Sequence, residues 1–184
     1  MVDVAAVGEE AYGGDARQLG QARFLEKYRG LYLVKRPLAD TIARGNAEGA
    51  RRGFDTEQFS RETLLSLQNS ADARADLLGS WAARWLVLPV KKTTDLFPDR
   101  ISIGRTTTSD IIIPFGFISK LQAHIYIDDQ GRIDLIDRST NGMQLDRRKV
   151  EPGKKVRLYI GCRLEIGPLE LDLLDALSLY QLLA

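Results

Sequence analysis

Three short polar segments in the second half of the chain, each placed between apolar runs, carry side chains that could bind an anion. Together they offer a guanidinium, an ammonium, several hydroxyls, an amide and nearby backbone N–H groups. A phosphorylated side chain carries a charge of about −1.5 to −2 and three acceptor oxygens, which match such donors. If strands bring the segments to one rim, they form a small pocket for a dianion. The residues concerned are Gly104, Arg105, Ser119, Lys120, Thr140, Asn141 and Gly142.

The composition argues against several other kinds of site. Lys and Arg number 26 against 25 Asp and Glu, a formal charge of +1, whereas a nonspecific nucleic-acid binder is usually strongly basic. Cys162 and His124 are the only cysteine and histidine. An internal disulfide is therefore impossible, and a zinc site of ordinary ligand type would need more of these residues. We predict no metal, no cofactor and no nucleic-acid partner.

The chain also lacks the patterns of export and membrane insertion. Its first residues have neither the basic region nor the apolar core of a signal peptide. The apolar C-terminal run is interrupted by Glu170, Asp172 and Asp175, so it is too short to span a bilayer. A single cysteine fits a reducing compartment. We therefore predict a cytoplasmic protein without membrane insertion.

The elements that must position the polar segments are strands. From Trp81 onwards strand signals recur about every eight to twelve residues, as in an all-β sandwich. The run AHIYIDD alternates, which places Ala123, Ile125 and Ile127 on one face. A turn at 129–131 then predicts a hairpin with RIDLID. The final LDALSLYQLLA has helical spacing, and we expect it to cover one edge of the sandwich.

The first 80 residues have mainly helical rather than strand patterns, and they contain no arrangement of residues typical of a catalytic site. Residues 1–14 are predicted to be a mobile tail, and residues 15–29 a helix that Gly30 ends. LYLVK follows as a predicted strand, and further helices are predicted between residues 55 and 78. We predict a partly helical N-terminal extension over residues 1–80 and a sandwich domain over residues 81–184.

Residues 85–175 resemble a forkhead-associated (FHA) domain, a β-sandwich that binds phosphothreonine peptides. The resemblance depends on three motifs in the right order: Gly104-Arg105 after a strand, Ser119 with a basic neighbour, and the run DRSTNG after the hairpin. It implies a mainly β fold, an FHA-like antiparallel β-sandwich. The residue pattern adds a helical N-terminal extension and a short C-terminal helix to it. The partner that the resemblance implies is a phosphothreonine-containing protein or peptide in a Ser/Thr kinase pathway.

The resemblance also gives the polar residues separate roles. Arg105 and Ser119 hold the phosphate, the first through paired guanidinium donors and the second through its hydroxyl and backbone N–H. Lys120 adds a less directional positive charge. The residue at Thr140 lies near the phosphothreonine in the family, and the one at Asn141 hydrogen-bonds the peptide backbone, for which an amide that both donates and accepts is suited.

Other positions are expected to support or tune this pocket. Gly104 precedes the arginine, and Gly142 permits the turn that displays the asparagine. Gln122 stands where the family usually has a histidine that braces the serine loop, and Met143 stands in place of a usual threonine. Phe117 lies near the region that reads the third residue after phosphothreonine, which predicts an apolar residue there in the peptide.

We therefore expect a non-catalytic module that recognises phosphothreonine peptides in kinase signalling or in phospho-dependent assembly. The alternative is a phosphorylation-independent scaffold with a vestigial pocket, which Gln122 and Met143 favour. An enzyme is not expected, since no P-loop is present and one His and one Cys hardly make a nucleophile–base pair. A further hypothesis is that a phosphorylated Thr56, with Phe59 three residues on, docks in the domain's own pocket.

Overall fold

The computed structural model describes residues 9–36 and 85–184, which form two β-sheets and two helices. The helices are α1 (Glu9–Lys27) and α2 (Ala176–Leu183). The strands are β1 (Leu31–Lys35), β2 (Leu86–Pro89), β3 (Ile101–Gly104), β4 (Ile111–Ile112), β5 (Ala123–Ile127), β6 (Ile133–Asp137), β7 (Gln144–Leu145), β8 (Arg148–Lys149), β9 (Lys155–Leu158), β10 (Arg163–Ile166) and β11 (Leu169–Asp175).

The strands form a sandwich of one six-stranded and one five-stranded sheet. Their orders are β2-β1-β11-β10-β7-β8 and β4-β3-β5-β6-β9. The predicted mainly β sandwich, with helical structure at its N-terminal end and a short C-terminal helix, is confirmed. One pair departs from the antiparallel prediction, because β3 and β4 run parallel. Only six residues connect these two strands, so the connection must fold tightly.

The predicted hairpin of β5 and β6 is confirmed, with Ala123 opposite Asp137 and Ile127 opposite Ile133. Its turn is closed by a hydrogen bond of 2.9 Å from the Gly131 N–H to the Asp128 carbonyl oxygen. The predicted inward face is correct for Ala123 and Ile125, which are fully buried. It is wrong for Ile127, which is 44% exposed because it lies at the turn end of the strand, outside the core.

The main core fills the space between the sheets with apolar side chains from both. Burial of one such side chain stabilises the fold by about 1.5–3 kcal/mol. Alternate residues of the longer strands point inward, as Ala123 and Ile125 of β5 do, whereas β8 contributes no buried side chain. The fully buried members with the largest side chains include Leu33, Ile103, Ile113, Ile125, Leu135, Leu164, Leu171 and Leu173.

A second core lies on the outer face of β2, β1 and β11, where α1 and α2 pack. The strands supply Tyr32, Val87 and Leu174, and the helices supply Phe24 and Leu179, among other residues. We expected the C-terminal helix to cover an edge of the sandwich, and that expectation is wrong. The helix covers a sheet face, because these strands carry apolar side chains on both of their faces and the outer one must also be buried.

The N-terminal segment contributes directly to this sandwich. β1 lies between β2 and β11 and pairs antiparallel with both, so its residues lie in the sheet although the predicted boundary after residue 80 placed them in an extension. The helix predicted from residue 15 begins earlier, at Glu9, and Gly20 kinks it at φ 70°. The predicted tail is therefore helical from residue 9, and Tyr12 is buried in the second core.

Two of the expectations fall outside the described residues. They are the helices predicted between residues 55 and 78, and the docking of Thr56. No helix within the two described ranges is long and apolar enough to cross a membrane.

Candidate functional site

The predicted site residues lie in three loops that leave strands of the five-stranded sheet. We call these the arginine loop (105–110, between β3 and β4), the serine loop (113–122, between β4 and β5) and the asparagine loop (138–143, after β6). β3, β5 and β6 are neighbours in the sheet. Gly104 is the last residue of β3, Ala123 is the first of β5, and Asp137 is the last of β6. In an antiparallel sheet the last residue of one strand lies beside the first residue of its neighbour. The three loops therefore lie at the same end of the sandwich.

Gly104 lets the arginine loop and the serine loop approach each other closely. A Cβ atom at this position would overlap the carbonyl oxygen of Lys120 and lie 2.6 Å from Ser109 Oγ. Only glycine leaves room for both. The next backbone N–H, that of Arg105, donates to the carbonyl oxygen of Ser119 over 3.0 Å. The predicted supporting glycine thus places the start of the arginine loop against the serine.

Ser119 makes contact with all the segments of the site. Its carbonyl oxygen accepts from Arg105, and its Oγ accepts from the backbone N–H of Thr140 over 3.1 Å. Its own N–H donates to Oε1 of Gln122 over 3.0 Å. We expected this N–H to be offered to a ligand, but it is used within the protein. A hydroxyl that accepts one hydrogen bond still has its proton to donate, so the side chain keeps a donor.

Gln122 lies beneath the serine loop and is 1% exposed. Besides its side-chain bond to Ser119, its N–H donates to the Ile103 carbonyl oxygen over 2.7 Å, and its own carbonyl oxygen accepts from Arg138 over 2.9 Å. These bonds connect β3, the serine loop and the asparagine loop. Its Nε2 has no hydrogen-bond partner among the described residues. The glutamine therefore braces the loop with one half of its amide.

The asparagine loop is shaped by its own side chains. Oδ1 of the buried Asp137 accepts from the N–H of Ser139 over 2.8 Å, and Oγ of Ser139 accepts from the N–H of Gly142 over 2.9 Å. Gly142 has a φ of 81°, a conformation that glycine adopts without strain. The result is a tight turn that leaves Thr140 and Asn141 exposed at its tip.

Each of the three loops carries a positively charged side chain. Arg105 is partly exposed, and Lys120 and Arg138 are exposed. The carbonyl oxygen of Lys120 accepts from the Thr106 hydroxyl over 3.2 Å, which holds the backbone of that residue against the arginine loop. Neither Thr106 nor Arg138 was predicted as a site residue, although Arg138 lies inside the DRSTNG motif and Thr106 directly follows Arg105.

Phe117 lies at the side of the serine loop and is partly buried. Its ring stacks on that of Phe115, with centroids 5.3 Å apart and an angle of 12° between the planes. One ring carbon lies 3.3 Å from the position that a Cβ would take at Gly167. Part of this side chain therefore packs on the turn between β10 and β11, while the remainder is accessible.

Asp110 is a structural residue of the site that sequence reasoning did not identify. The residue is 2% exposed. Its carboxylate accepts hydrogen bonds from Lys92, from the backbone of Thr93 and Thr94, and from the N–H and hydroxyl of Ser102. Burial alone would raise its pKa, but these donors outweigh burial and hold the pKa well below its usual range. The ionised carboxylate closes the tight connection between β3 and β4.

The remaining reactive side chains are buried. His124 is 3% exposed, and burial, with smaller contributions from Arg100 and Arg138, lowers its pKa. Cys162 is fully buried, and burial raises the pKa of its thiol. In the described parts of the chain, no group of three or more His, Cys, Asp or Glu side chains could hold a metal ion.

The family model of the FHA domain matches residues 101–167. The match begins with β3 and ends in the turn between β10 and β11, so it includes all three loops. It confirms the resemblance predicted from the sequence. No match was found among curated proteins.

Three solved structures that are similar to part of this chain are FHA domains. The N-terminal FHA domain of Rad53p from S. cerevisiae, in complex with a phosphothreonine peptide, is 20% identical with a TM-score of 0.42, covering 52% of this chain and 89% of that chain. An FHA domain from an Arabidopsis thaliana hypothetical protein is 24% identical with a TM-score of 0.41, covering 48% and 73%. The FHA domain of FhaA, complexed with the intracellular domain of Rv3910, is 23% identical with a TM-score of 0.38, covering 45% and 84%.

Proposed function

We propose that this protein is a non-catalytic reader of phosphothreonine on a partner protein, acting in Ser/Thr kinase signalling or in phospho-dependent assembly. The observation that carries the proposal is the position of Ser119, which is hydrogen-bonded to the arginine loop and the asparagine loop within a region that matches the FHA family. Three loops with cations, hydroxyls and an amide are thereby held at one end of a rigid sandwich.

Arg105, Ser119 and Lys120 are the proposed phosphate ligands. A guanidinium holds a tetrahedral oxyanion through two parallel donors, and hydrogen bonds to charged groups are about twice as strong as neutral ones. The Ser119 hydroxyl adds a further hydrogen-bond donor. It accepts a hydrogen bond from the Thr140 N–H through its oxygen, so its own proton can be donated to the phosphate. Lys120 contributes charge from an exposed position with less directionality.

Thr140 and Asn141 are the proposed ligands for the threonine and the peptide backbone. Both are exposed at the tip of a turn fixed by Asp137, Ser139 and Gly142. An amide that donates and accepts at once can pair with one peptide unit of an extended ligand. Phe117, with its accessible part, is proposed to favour an apolar residue three positions after the phosphothreonine.

The absence of catalysis is part of the proposal. It is supported by the burial of His124 and Cys162, the only histidine and cysteine of the chain. We also propose that the protein acts in the cytoplasm, which the single cysteine supports. We assign recognition to the three loops of the sandwich. α1 and β1 belong to the second core, and we propose that they stabilise the six-stranded sheet rather than contact the peptide.

Replacement of Arg105 by Ala tests the site. We expect a loss of about 2–5 kcal/mol in binding free energy for a phosphothreonine peptide selected from a degenerate library, as when one partner of a close charge pair is removed. Isothermal titration of both proteins with the same peptide gives this difference. Arg132→Ala, on the hairpin turn at the other end of β5 and β6, is the matched control. Equal affinity of Arg105→Ala and the native protein would refute the site.

The alternative function is a scaffold that binds its partner without phosphate. The case for this alternative is that Gln122 and Met143 depart from the residues usual in the FHA family. Gln122 bonds directly to Ser119, and Met143 is 3% exposed and belongs to the core, which favours an intact pocket. Titration with the unphosphorylated peptide separates the two functions, because a scaffold would bind both forms equally.

A further inference from the structure

A cavity of about 570 Å³ lies beside the asparagine loop, between the hairpin of β7 and β8 and the strand β9. β8 is the last strand of the six-stranded sheet and β9 the last strand of the five-stranded sheet. The cavity therefore opens on the side of the sandwich where two sheet edges meet. We call it the edge groove. Its lining residues are Leu145, Asp146, Arg148, Lys149, Val150, Glu151, Lys154, Lys155, Val156 and Tyr159.

The edge groove combines an apolar floor with a basic rim. Leu145, Val150 and Val156 supply apolar surface, and the lining includes four cations against two carboxylates. Both carboxylates form hydrogen bonds or an ion pair within the protein. Asp146 accepts hydrogen bonds from the Tyr159 hydroxyl and, over 2.9 Å, from the backbone of Arg163, and Glu151 pairs with Lys154.

Two of the cations are not neutralised in this way. Arg148 and Lys149 are exposed, and neither forms an ion pair or a side-chain hydrogen bond with a residue in the ranges 9–36 and 85–184. Adjacent cations that form no ion pair repel each other. They therefore favour an anionic ligand, which would relieve that repulsion.

These cations are presented by a fixed hairpin. Asp146 and Arg147 have φ values of 49° and 65°, as in the two-residue turn that matches the twist of paired strands. The backbone N–H of Arg147 donates to Oε1 of Glu165 over 2.9 Å, and that of Val150 donates to the carbonyl oxygen of Met143 over 3.0 Å. The hairpin is held at both ends, so little ordering is required when a ligand binds.

The edge groove is continuous with the proposed phosphothreonine site. The side-chain Cε of Lys149 lies 4.0 Å from the position of a Cβ on Gly142, and Gly142 follows Asn141 in the asparagine loop. A peptide held by Asn141 therefore has one flank next to Lys149. In an extended peptide each further residue advances by about 3.3 Å, so a flank that follows the hairpin would pass from Lys149 to Arg148.

We propose that the edge groove binds an acidic segment that flanks the phosphothreonine in the same partner protein. The inference rests on the proposed function, because the phosphothreonine brings the segment to the groove. Carboxylates of the segment pair with Arg148 and Lys149, and its aliphatic stems lie on the apolar floor. The groove thereby selects among phosphothreonine proteins by the charge of their flanks.

The test compares four peptides that share one phosphothreonine core. Four glutamates precede the core in the first and follow it in the second, and the third and fourth carry glutamines in the same places. We expect one acidic peptide to bind the native protein about 3- to 10-fold more tightly than its glutamine counterpart at low salt, as two exposed ion pairs would give. The gain should fall as salt rises.

The double variant Arg148→Glu, Lys149→Glu should abolish this gain and leave the glutamine peptides within about 2-fold of their native affinity. Arg132→Glu combined with Lys91→Glu makes the same charge change elsewhere on the surface and should retain the gain. Equal losses in the two double variants would show a general charge effect and overturn the proposal. Thermal unfolding checks that both variants are folded.

The outcomes separate the groove from the proposed function. Tight binding of all four phosphopeptides with no gain from either acidic flank overturns the groove and leaves the proposed function in place. If no phosphopeptide binds, the proposed function fails. The groove is then tested by NMR with an unphosphorylated acidic peptide, and unchanged amide signals of Lys149 and Val150 would overturn the groove proposal as well. A dimer that the groove variant disrupts, without any effect of acidic flanks, would assign the groove to a second copy and overturn the proposal.

Discussion

At the scale of single residues, Ser119 and Gln122 decide how firmly the loops are held. The N–H of Ser119 has its acceptor in the buried amide of Gln122. A glutamine has more rotamers than the histidine that the FHA resemblance implies at this place, but burial restricts the choice. The backbone bonds of Gln122 to Ile103 and Arg138 further fix its position.

Gln122→Met tests this bracing, since methionine has a similar length and no amide. We expect a decrease of about 1–3 kcal/mol in the free energy of unfolding, because the Ser119 N–H loses its acceptor. Phosphopeptide affinity should also fall, since the serine loop is less ordered. Urea unfolding and calorimetric titration of the variant measure the two effects. Native stability together with native affinity would show that the amide does not brace the loop.

Asp110 makes a residue-scale prediction about pH. Its donors keep the pKa of the folded state below the usual value of about 3.9. The unfolded state therefore takes up a proton first as the pH falls, and stability that is present above about pH 4 is lost as the pH falls towards the folded-state pKa. Asp110→Asn removes this dependence along with the charge-assisted bonds.

We expect Asp110→Asn to lower the free energy of unfolding at pH 7 by about 1.5–3 kcal/mol, the range for hydrogen bonds to a charged group. The difference between native and variant protein should shrink as the pH falls from about 4 to 2.5, because the unfolded carboxylate takes up its proton there while the folded one is still ionised. Urea titrations at several pH values measure both effects. A difference that stays constant over this pH range would contradict the assignment.

At the scale of elements, the end of β3 controls the approach of two loops. Gly104→Ala introduces a Cβ that overlaps the backbone carbonyl of Lys120. Backbone cannot move aside as a flexible side chain can, so we expect the serine loop to shift. The expected destabilisation is about 1–3 kcal/mol, as for overpacked sites, with loss of phosphopeptide binding. Gly116→Ala, in the serine loop, is the matched control, because no atom lies within 4 Å of the Cβ that it would add. Equal effects of the two substitutions would contradict the close approach at Gly104.

Some elements could be predicted from local pattern and others could not. The alternation in β5 and the turn before β6 predict the hairpin, because period and turn chemistry are local properties. The parallel pairing of β3 with β4 depends on the burial of Asp110, and nothing in TTTSD distinguishes that carboxylate from an exposed one. The site residues could be named from three motifs, yet the hydrogen bond that occupies the Ser119 N–H depends on the fold.

At the scale of the whole molecule, the proposed binding loops and the two helices lie on different parts of the sandwich. The loops occupy one end, and α1 and α2 cover the outer face of β2, β1 and β11. The sequence pattern did not reveal that cover, because an apolar run in a strand is typical both of a buried core strand and of a strand covered on two faces. The sheet also recruits β1 from a distant part of the chain, and long-range pairing of this kind leaves no local signal.

The central claim is that binding depends on the phosphate of a phosphothreonine. Titration of the native protein with a library-selected peptide, in its phosphothreonine form and in its unphosphorylated form, tests it most directly. We predict saturable binding of the phosphorylated form and an affinity for the unphosphorylated form that is lower by at least about 30-fold, the equivalent of about 2 kcal/mol. Equal affinity for the two forms, or binding of neither, would contradict the proposed function.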